Sequence, residues 1–115
     1  MQAKEAMDII TASVIMTLMI GSFRDRGTED VFEGRNTPAA RKACPREIWP
    51  TARRKLDQIN RVRDVKELAV PPGNQLERLR DDRIGQYAIR INDQYRICFR
   101  WDEGVADGVE ITDYH

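Results

Sequence analysis

The chain ends in Asp113, Tyr114 and His115, and an arginine-rich stretch containing Arg90 and Arg96 precedes this end. A phenol, an imidazole and guanidinium groups beside one another suit cleavage of a phosphodiester by the neighbouring 2′-hydroxyl. That reaction needs one group to take the hydroxyl proton, one to protonate the leaving oxygen, and positive charge at the phosphate. It requires no metal ion. Taken alone, a terminal Asp-Tyr-His is a weak signal, because random surface tails are commoner than catalytic ends.

The arginines lie on two runs of alternating apolar and polar residues, 86–91 and 95–101, which predict an antiparallel hairpin. Both apolar sets fall on one face only if the loop holds an odd number of residues, and 92–94 supplies three. This register places Arg90 directly opposite Arg96. Such a pair of like charges is unfavourable by roughly 0.2 to 1 kcal/mol. A face that binds a polyanion would explain why the pair is there.

Alternation assigns the side chains of the hairpin to two faces. The core face carries Tyr87, Ile89, Ile91, Tyr95, Ile97, Phe99 and Trp101. The opposite face carries Gln86, Ala88, Arg90, Arg96, Cys98 and Arg100. A last strand over 109–112 adds Val109 and Ile111 to the core and places Tyr114 on the basic face. Asp113 and His115 point the other way unless the strand frays, as chain ends commonly do.

Composition predicts one domain, since 115 residues with 41% hydrophobic content can bury a modest core. The net charge is zero, but residues 41–100 hold 15 basic against 8 acidic side chains, and residues 101–115 hold 5 acidic and no basic ones. A basic centre is typical of a polyanion binder, although a solvated, salt-bridged face more often explains a single charge run. Cys44 and Cys98 lack metal-ligand spacing, so they are expected to be reduced and structural. No cofactor or metal site is predicted.

The helices are predicted upstream of the hairpin. After a first strand at 19–23, one helical turn begins near Thr28 and stops at Gly34. Thr37 caps a short helix with Pro38 in its first turn. A long helix starts at Trp49 and presents one apolar stripe: Trp49, Ala52, Leu56 and Ile59.

The chain between the long helix and the last strand is predicted to change from helical to strand periodicity. Asp64 caps one further turn, the segment 70–74 forms a loop, and a second strand includes Leu76 and Leu79. A polar turn follows at 81–83, then the hairpin, then a turn over 102–108.

Residues 1–18 are interpreted as an extension that precedes a domain spanning 19–115, with Met19 as the favoured start. The apolar run 9–20 is shorter than the roughly 20 residues that span a bilayer. It also lacks the basic start of a signal peptide. We therefore expect a cytoplasmic protein without a membrane partner.

From Met19 onward the chain resembles the HigB toxins of the RelE superfamily. The resemblance is carried by MIGSFRDRGTEDVF, ARRKLDQI, VPPGNQLERL, GQYAIRINDQYRICFRW and the final VEITDYH. It implies an α+β fold, in which an N-terminal strand and helices pack on a curved, mostly antiparallel sheet. It also implies an mRNA endoribonuclease that acts in the A site of the 70S ribosome. The implied partner is a HigA-like antitoxin that binds DNA by a helix-turn-helix.

The resemblance also implies which residues act. The family's catalytic positions fall on Arg96, Asp113, Tyr114 and His115, and Arg80 would steady the phosphate. Some HigB proteins have a second histidine just before the position of Arg80, and the nearest candidate in this chain is Glu77, so His115, Glu77 or an arginine could be the general base. We favour His115, with Tyr114 stacking on the nucleotide or donating a proton. Backbone contacts to RNA are expected from Lys55, Arg78, Arg83, Arg90 and Arg100.

Two other functions fit the same sequence. The first is a non-catalytic inhibitor of a protein target such as DNA gyrase, by analogy with the ParE toxins of the superfamily. The second is a degenerate toxin that survives as an antitoxin-binding subunit. The basic hairpin face and the intact Asp-Tyr-His end favour the nuclease.

Overall fold

The structure is a computed structural model that describes residues 20–114. The predicted extension over 1–18, the start at Met19 and the side chain of His115 lie outside these residues. Three α-helices come first: α1 (Arg26–Glu33), α2 (Pro38–Ala43) and α3 (Trp49–Arg61). Four strands follow: β1 (Glu77–Arg78), β2 (Gln86–Arg90), β3 (Tyr95–Asp102) and β4 (Val105–Asp113). Short 3₁₀ segments occupy Arg46–Ile48, Val65–Ala69, Pro72–Asn74 and Asp81–Arg83.

The strands form one antiparallel sheet in the order β1-β2-β3-β4. The predicted register of the β2–β3 hairpin is confirmed, because Arg90 pairs with Arg96 and Ile91 N donates to Tyr95 O at 2.9 Å. The loop therefore holds three residues, 92–94. Helices on one side and a four-stranded sheet on the other give the expected α+β class. No helix within residues 20–114 is long and apolar enough to cross a bilayer.

The predicted first strand exists as two isolated parallel bridges to β4. Ile20 pairs with Ala106, and Phe23 pairs with Val109. The segment is also held by Gly21 N, which donates to the carbonyl of Ala106 at 2.7 Å. The sheet is therefore antiparallel except at this edge, as the resemblance implies.

Beyond Phe23 the N-terminal backbone turns away from β4 into α1, and the side chain of Thr28 takes over as a hydrogen-bond partner of β4. Ile111 N donates to Thr28 Oγ1 at 2.9 Å, and Thr28 is fully buried. Asp25 is the N-cap residue of α1, and its carboxylate accepts from Thr28 N at 2.6 Å. The prediction of one turn starting near Thr28 was therefore too short. Asp25 caps the helix, and the hydroxyl of Thr28 is used by β4 instead.

The remaining helix predictions are confirmed. Gly34 ends α1 with φ 78°, a left-handed conformation that favours glycine. Thr37 caps α2 by accepting from Ala40 N at 3.1 Å. In α3 the predicted stripe Trp49, Ala52, Leu56 and Ile59 is buried. The stripe packs with the core face of the sheet, whose buried members are Ile89, Ile91, Ile97, Phe99, Ala106, Val109 and Ile111.

The predicted turn over 102–108 was wrong, because β4 already begins at Val105. The turn consists of Glu103 and Gly104 alone, with φ values of 48° and 82°. Gly108 is an irregularity inside the strand, with φ 58°, where the β3–β4 register shifts by one residue. A bulge of this kind increases local twist. The segment 102–108 contains two glycines and two aspartates, residue types that are common in loops, and this composition explains the wrong prediction.

Thr28→Val should destabilise the protein by roughly 1–3 kcal/mol, because it leaves the buried Ile111 N–H without an acceptor. Thr28→Ser keeps the hydroxyl and should cost less. Urea denaturation of both variants measures the difference. Equal stability of the valine and serine variants would show that the Thr28 hydroxyl does not stabilise β4.

Candidate nucleic-acid interface

The face of the sheet that turns away from the core is here called the open face. The strand register places three parallel rows of side chains on it. One row runs Arg90, Arg96 and Thr112; the next runs Glu77, Ala88, Cys98 and Glu110; the third contains Gln86 and Arg100. Ala88 and Cys98 lie at the centre and are fully buried. The longer side chains around these two small ones therefore cover them.

Arg96 is held on the open face by the hairpin loop. Its Nη1 donates to the backbone oxygens of Asn92, at 2.5 Å, and Tyr95, at 3.2 Å. The guanidinium carbon lies 5.1 Å from the ring centroid of Tyr114. Within residues 20–114, Nε and Nη2 of Arg96 have no hydrogen-bond partner. Arg96 therefore keeps three N–H donors in a fixed orientation, which suits an incoming phosphate.

Tyr114 lies on the open face, as predicted, and is 41% exposed. Its backbone N donates to Gln94 O at 2.7 Å, so the hairpin loop also fixes the end of β4. Its hydroxyl donates to Glu77 Oε1 at 3.3 Å. The structure thus brings Arg96, Tyr114 and Glu77 together, although they come from three different strands or strand ends.

The environment of Tyr114 keeps its phenol protonated. Partial burial raises the pKa of Tyr114 above its ordinary value, and the negative charge of Glu77 raises it further. The positive charge of Arg96 acts in the opposite direction. The phenol therefore stays in its protonated form, which carries the O–H that can donate a hydrogen bond or a proton. Chemically, Tyr114 is suited to be an acid and Glu77 to be a base.

Two further cations lie next to this cluster. Arg90 is opposite Arg96 in the register, and its guanidinium binds the Asp93 carboxylate. Lys55 of α3 donates to Asn74 Oδ1 at 2.6 Å. Burial lowers the pKa of Lys55, and the positive charges of Arg54 and Arg90 lower it further. Lys55 is therefore near enough to Arg90 for the two positive charges to repel.

The far end of the open face carries a different charge cluster. Glu110 is 14% exposed and accepts ion pairs from Arg24 Nε at 3.4 Å and Arg83 Nη1 at 3.6 Å. Arg100 is exposed, and its Nη1 donates to Ile84 O at 3.5 Å. The two arginines that were predicted to contact RNA here, Arg83 and Arg100, are thus held by protein groups at one end of the face.

Three predicted residues lie away from Arg96 and Tyr114. Arg78 follows Glu77 in β1, so its side chain takes the other face, where it lies 5.7 Å from the ring centroid of Tyr87. Arg80 is exposed just beyond β1 and lines the same edge of the sheet. Asp113 pairs with Tyr95 on the helix side of β4 and accepts from Gln94 Nε2 at 3.0 Å. His115 lies outside the described residues.

Three residues of the site were not predicted as such. Asn92 and Gln94 position Arg96 and Tyr114, and Glu110 neutralises one end of the face. Asn92 also accepts from Tyr95 N at 2.7 Å, an Asx-type turn. An asparagine at the first position of a short loop is a known turn signal, so Asn92 could have been found. The contacts of Gln94 and Glu110 are long-range and leave no local signal.

Comparison with known proteins identifies the family to which this small α+β fold with a basic open face belongs. The family described as RelE-like toxin of type II toxin-antitoxin system HigB matches residues 21–115. Toxin HigB-1 of Vibrio cholerae is 33% identical over 84 residues, which cover 73% of this chain and 85% of that protein. An uncharacterized protein of Haemophilus influenzae is 34% identical over 65 residues, covering 56% of this chain and 64% of its own length.

These matches define the class as RelE-like toxins. The chain belongs to the HigB-like family of type II toxin-antitoxin systems. A type II toxin implies an antitoxin that binds and neutralises it.

The charges of Glu77 and Arg96 beside Tyr114 predict that two variants shift the pKa of Tyr114 in opposite directions. Glu77→Gln should lower the pKa of Tyr114, because it removes the nearby negative charge, and Arg96→Gln should raise it. Carbon-13 NMR titration of the tyrosine rings measures both. Glu47→Gln, at an exposed position outside the site, is the matched control and should leave Tyr114 unchanged. An unaltered titration of Tyr114 in the Glu77 variant would show that the two groups do not interact.

Proposed function

We propose that this chain is a ribosome-dependent mRNA endoribonuclease that cleaves in the ribosomal A site. The proposed reaction is metal-independent attack of a 2′-hydroxyl on the adjacent phosphate. The observation that carries the proposal is the cluster of Arg96, Tyr114 and Glu77 on the open face. It offers positive charge, a proton donor and a carboxylate within one small surface, as such a reaction requires.

Each group has a role in the proposed step. The 2′-oxygen forms a bond to phosphorus, the bond from phosphorus to the 5′-oxygen breaks, and the products carry a 2′,3′-cyclic phosphate and a 5′-hydroxyl. Arg96 stabilises the extra negative charge on the phosphate through its unused donors. Tyr114, whose pKa is raised, protonates the leaving oxygen or stacks on the nucleotide. The proton of the 2′-hydroxyl goes to Glu77 or to His115.

Basic residues around the cluster are proposed to bind RNA backbone. Lys55 and Arg90 lie at the same end of the sheet as Arg96 and extend its positive charge. Arg83 and Arg100 would contact backbone farther along the open face. Arg78 and Arg80 lie at the β1 edge and could reach RNA only beside the face. Contacts of this kind contribute affinity rather than sequence choice.

The proposal includes the place of action and the partners. A ribosome-dependent nuclease acts in the cytoplasm on the 70S ribosome and translated mRNA. Its antitoxin is proposed to be HigA-like, with a helix-turn-helix that binds DNA. Asp113 is retained as a candidate catalytic residue on the family motif, and its contact with Gln94 supports a role in holding the chain end.

Arg96→Ala should reduce mRNA cleavage on translating ribosomes by about 10²- to 10³-fold, since it removes the charge that stabilises the transition state. Growth arrest should be relieved, and antitoxin binding should persist. Arg61→Ala is the matched control, because Arg61 is exposed and, among residues 20–114, pairs only with Asp57 of the same helix. Deletion of His115 should also relieve arrest. If both site variants stay fully toxic, the site assignment is wrong.

Mapping of transcript 5′ ends after toxin induction separates the proposed function from gyrase inhibition. Cleavage within codons, abolished when the transcript is not translated, is expected. Intact transcripts together with blocked replication would contradict the nuclease and support a ParE-like inhibitor.

A further inference from the structure

A second surface lies at the outer edge of the sheet, beside β1. It is a cleft of about 1010 Å³, here called the edge groove. Its lining includes the charged residues Glu77, Arg78 and Arg80 and the apolar or aromatic residues Leu79, Ile84, Tyr87 and Trp101. We propose that the edge groove docks an extended segment of the antitoxin that carries aliphatic and acidic side chains and adds a strand to β1. The proposal rests on membership of the toxin family, and it does not depend on the nuclease reaction.

The floor of the groove is apolar surface that the helices do not cover. Ile84 is 73% exposed, a high value for an aliphatic residue. Tyr87 and Trp101 are half-buried and pack on Phe99, with ring centroids 6.1 and 6.4 Å from the Phe99 ring. These rings form a rigid wall. An exposed apolar cluster with a polar rim is typical of a protein interaction site.

The backbone beside the groove offers hydrogen bonds to an added strand. β1 is the outermost strand of the sheet, and no strand within residues 20–114 pairs with its outer edge. Leu79 N donates to Gln86 O at 2.9 Å, so the alternation of an antiparallel pair turns the backbone N–H and C=O of Arg78 outward. A short, charged edge strand disfavours non-specific pairing with other strands. A partner segment of complementary charge can still pair with it.

The charged residues that line the groove determine which side chains a docked segment would carry. Arg78, Arg80 and Glu77 all line the groove, and the Glu77 carboxylate accepts from the Tyr114 hydroxyl, so the two arginines leave an excess of positive charge along this edge. Acidic side chains at alternate positions of the segment would meet the arginines, and aliphatic ones would cover Ile84 and Trp101. RNA could use the arginines but would leave the β1 backbone unpaired. The free backbone edge and the exposed Ile84 therefore favour a peptide.

The position of the groove suggests how docking could affect toxicity. Glu77 and Arg78 are adjacent in β1 and both line the groove, and the Glu77 carboxylate also contacts Tyr114 of the open-face cluster. A strand added to β1 would fix the backbone that carries Glu77 and would lie at the edge of the RNA-binding face. The antitoxin could then hinder RNA without entering the face itself.

The test uses the full-length toxin and the antitoxin that neutralises it, with affinity measured by calorimetry. Ile84→Asp should weaken antitoxin binding more than about tenfold, because it places a carboxylate on the apolar floor. Cleavage of mRNA should be unchanged. Val70→Asp is the matched control, since Val70 is 67% exposed and lies outside the groove, and it should bind like the unaltered toxin.

Fluorescence gives a second readout. Trp101 is half-buried in the groove and Trp49 is 8% exposed in the core, so docking should change the emission of Trp101 alone. Trp101→Phe should remove the change. Three results would each overturn the proposal. The first is unaltered antitoxin affinity of Ile84→Asp, and the second is an equal loss of antitoxin affinity in Ile84→Asp and Val70→Asp. The third is reduced mRNA cleavage by Ile84→Asp with unaltered antitoxin affinity. Failure of the nuclease assignment would leave these binding results intact.

Discussion

The three-residue loop between β2 and β3 is the constraint on which the site depends. Its odd length sets the register that brings Arg90 opposite Arg96 and keeps both apolar sets in the core. The same loop accepts the Arg96 guanidinium on the carbonyl of Asn92 and the Tyr114 amide on that of Gln94. One short segment therefore positions the phosphate-binding charge and the phenol relative to each other. A change of one residue in its length would put the apolar sets of β2 and β3 on opposite faces.

The open face concentrates positive charge without becoming uniformly basic. Glu77 and Glu110 lie at opposite edges of the row that contains Ala88 and Cys98. Glu110 is neutralised by two arginines, whereas Glu77 contacts Tyr114 and leaves Arg96 with free donors. The two ends of the open face therefore differ in how their charges are paired. One is an internal ion-pair cluster, and the other is open to a ligand.

Much of the fold could be predicted from the sequence, because its strongest signals are local or periodic. The α3 stripe, the Thr37 cap and the hairpin register each follow from the spacing of a few residues. The start of α1 and the extent of β4 could not be predicted. Thr28 uses its hydroxyl to bind Ile111, 83 positions away, and Gly108 continues a strand where glycine usually marks a turn. The pairing of Tyr114 with Glu77 is similarly long-range. Strand alternation placed Tyr114 on the basic face, but only the family motif pointed to Glu77.

The central claim is that the open face promotes attack of a 2′-hydroxyl on an RNA phosphate held by Arg96. The most direct measurement is cleavage of an mRNA in the ribosomal A site that carries a single 2′-deoxynucleotide at the scissile position, with the ends of the products determined by mass. The account predicts no cleavage at that position, and a 2′,3′-cyclic phosphate from the matching all-ribose mRNA. Cleavage of the 2′-deoxy substrate at the wild-type rate would contradict it.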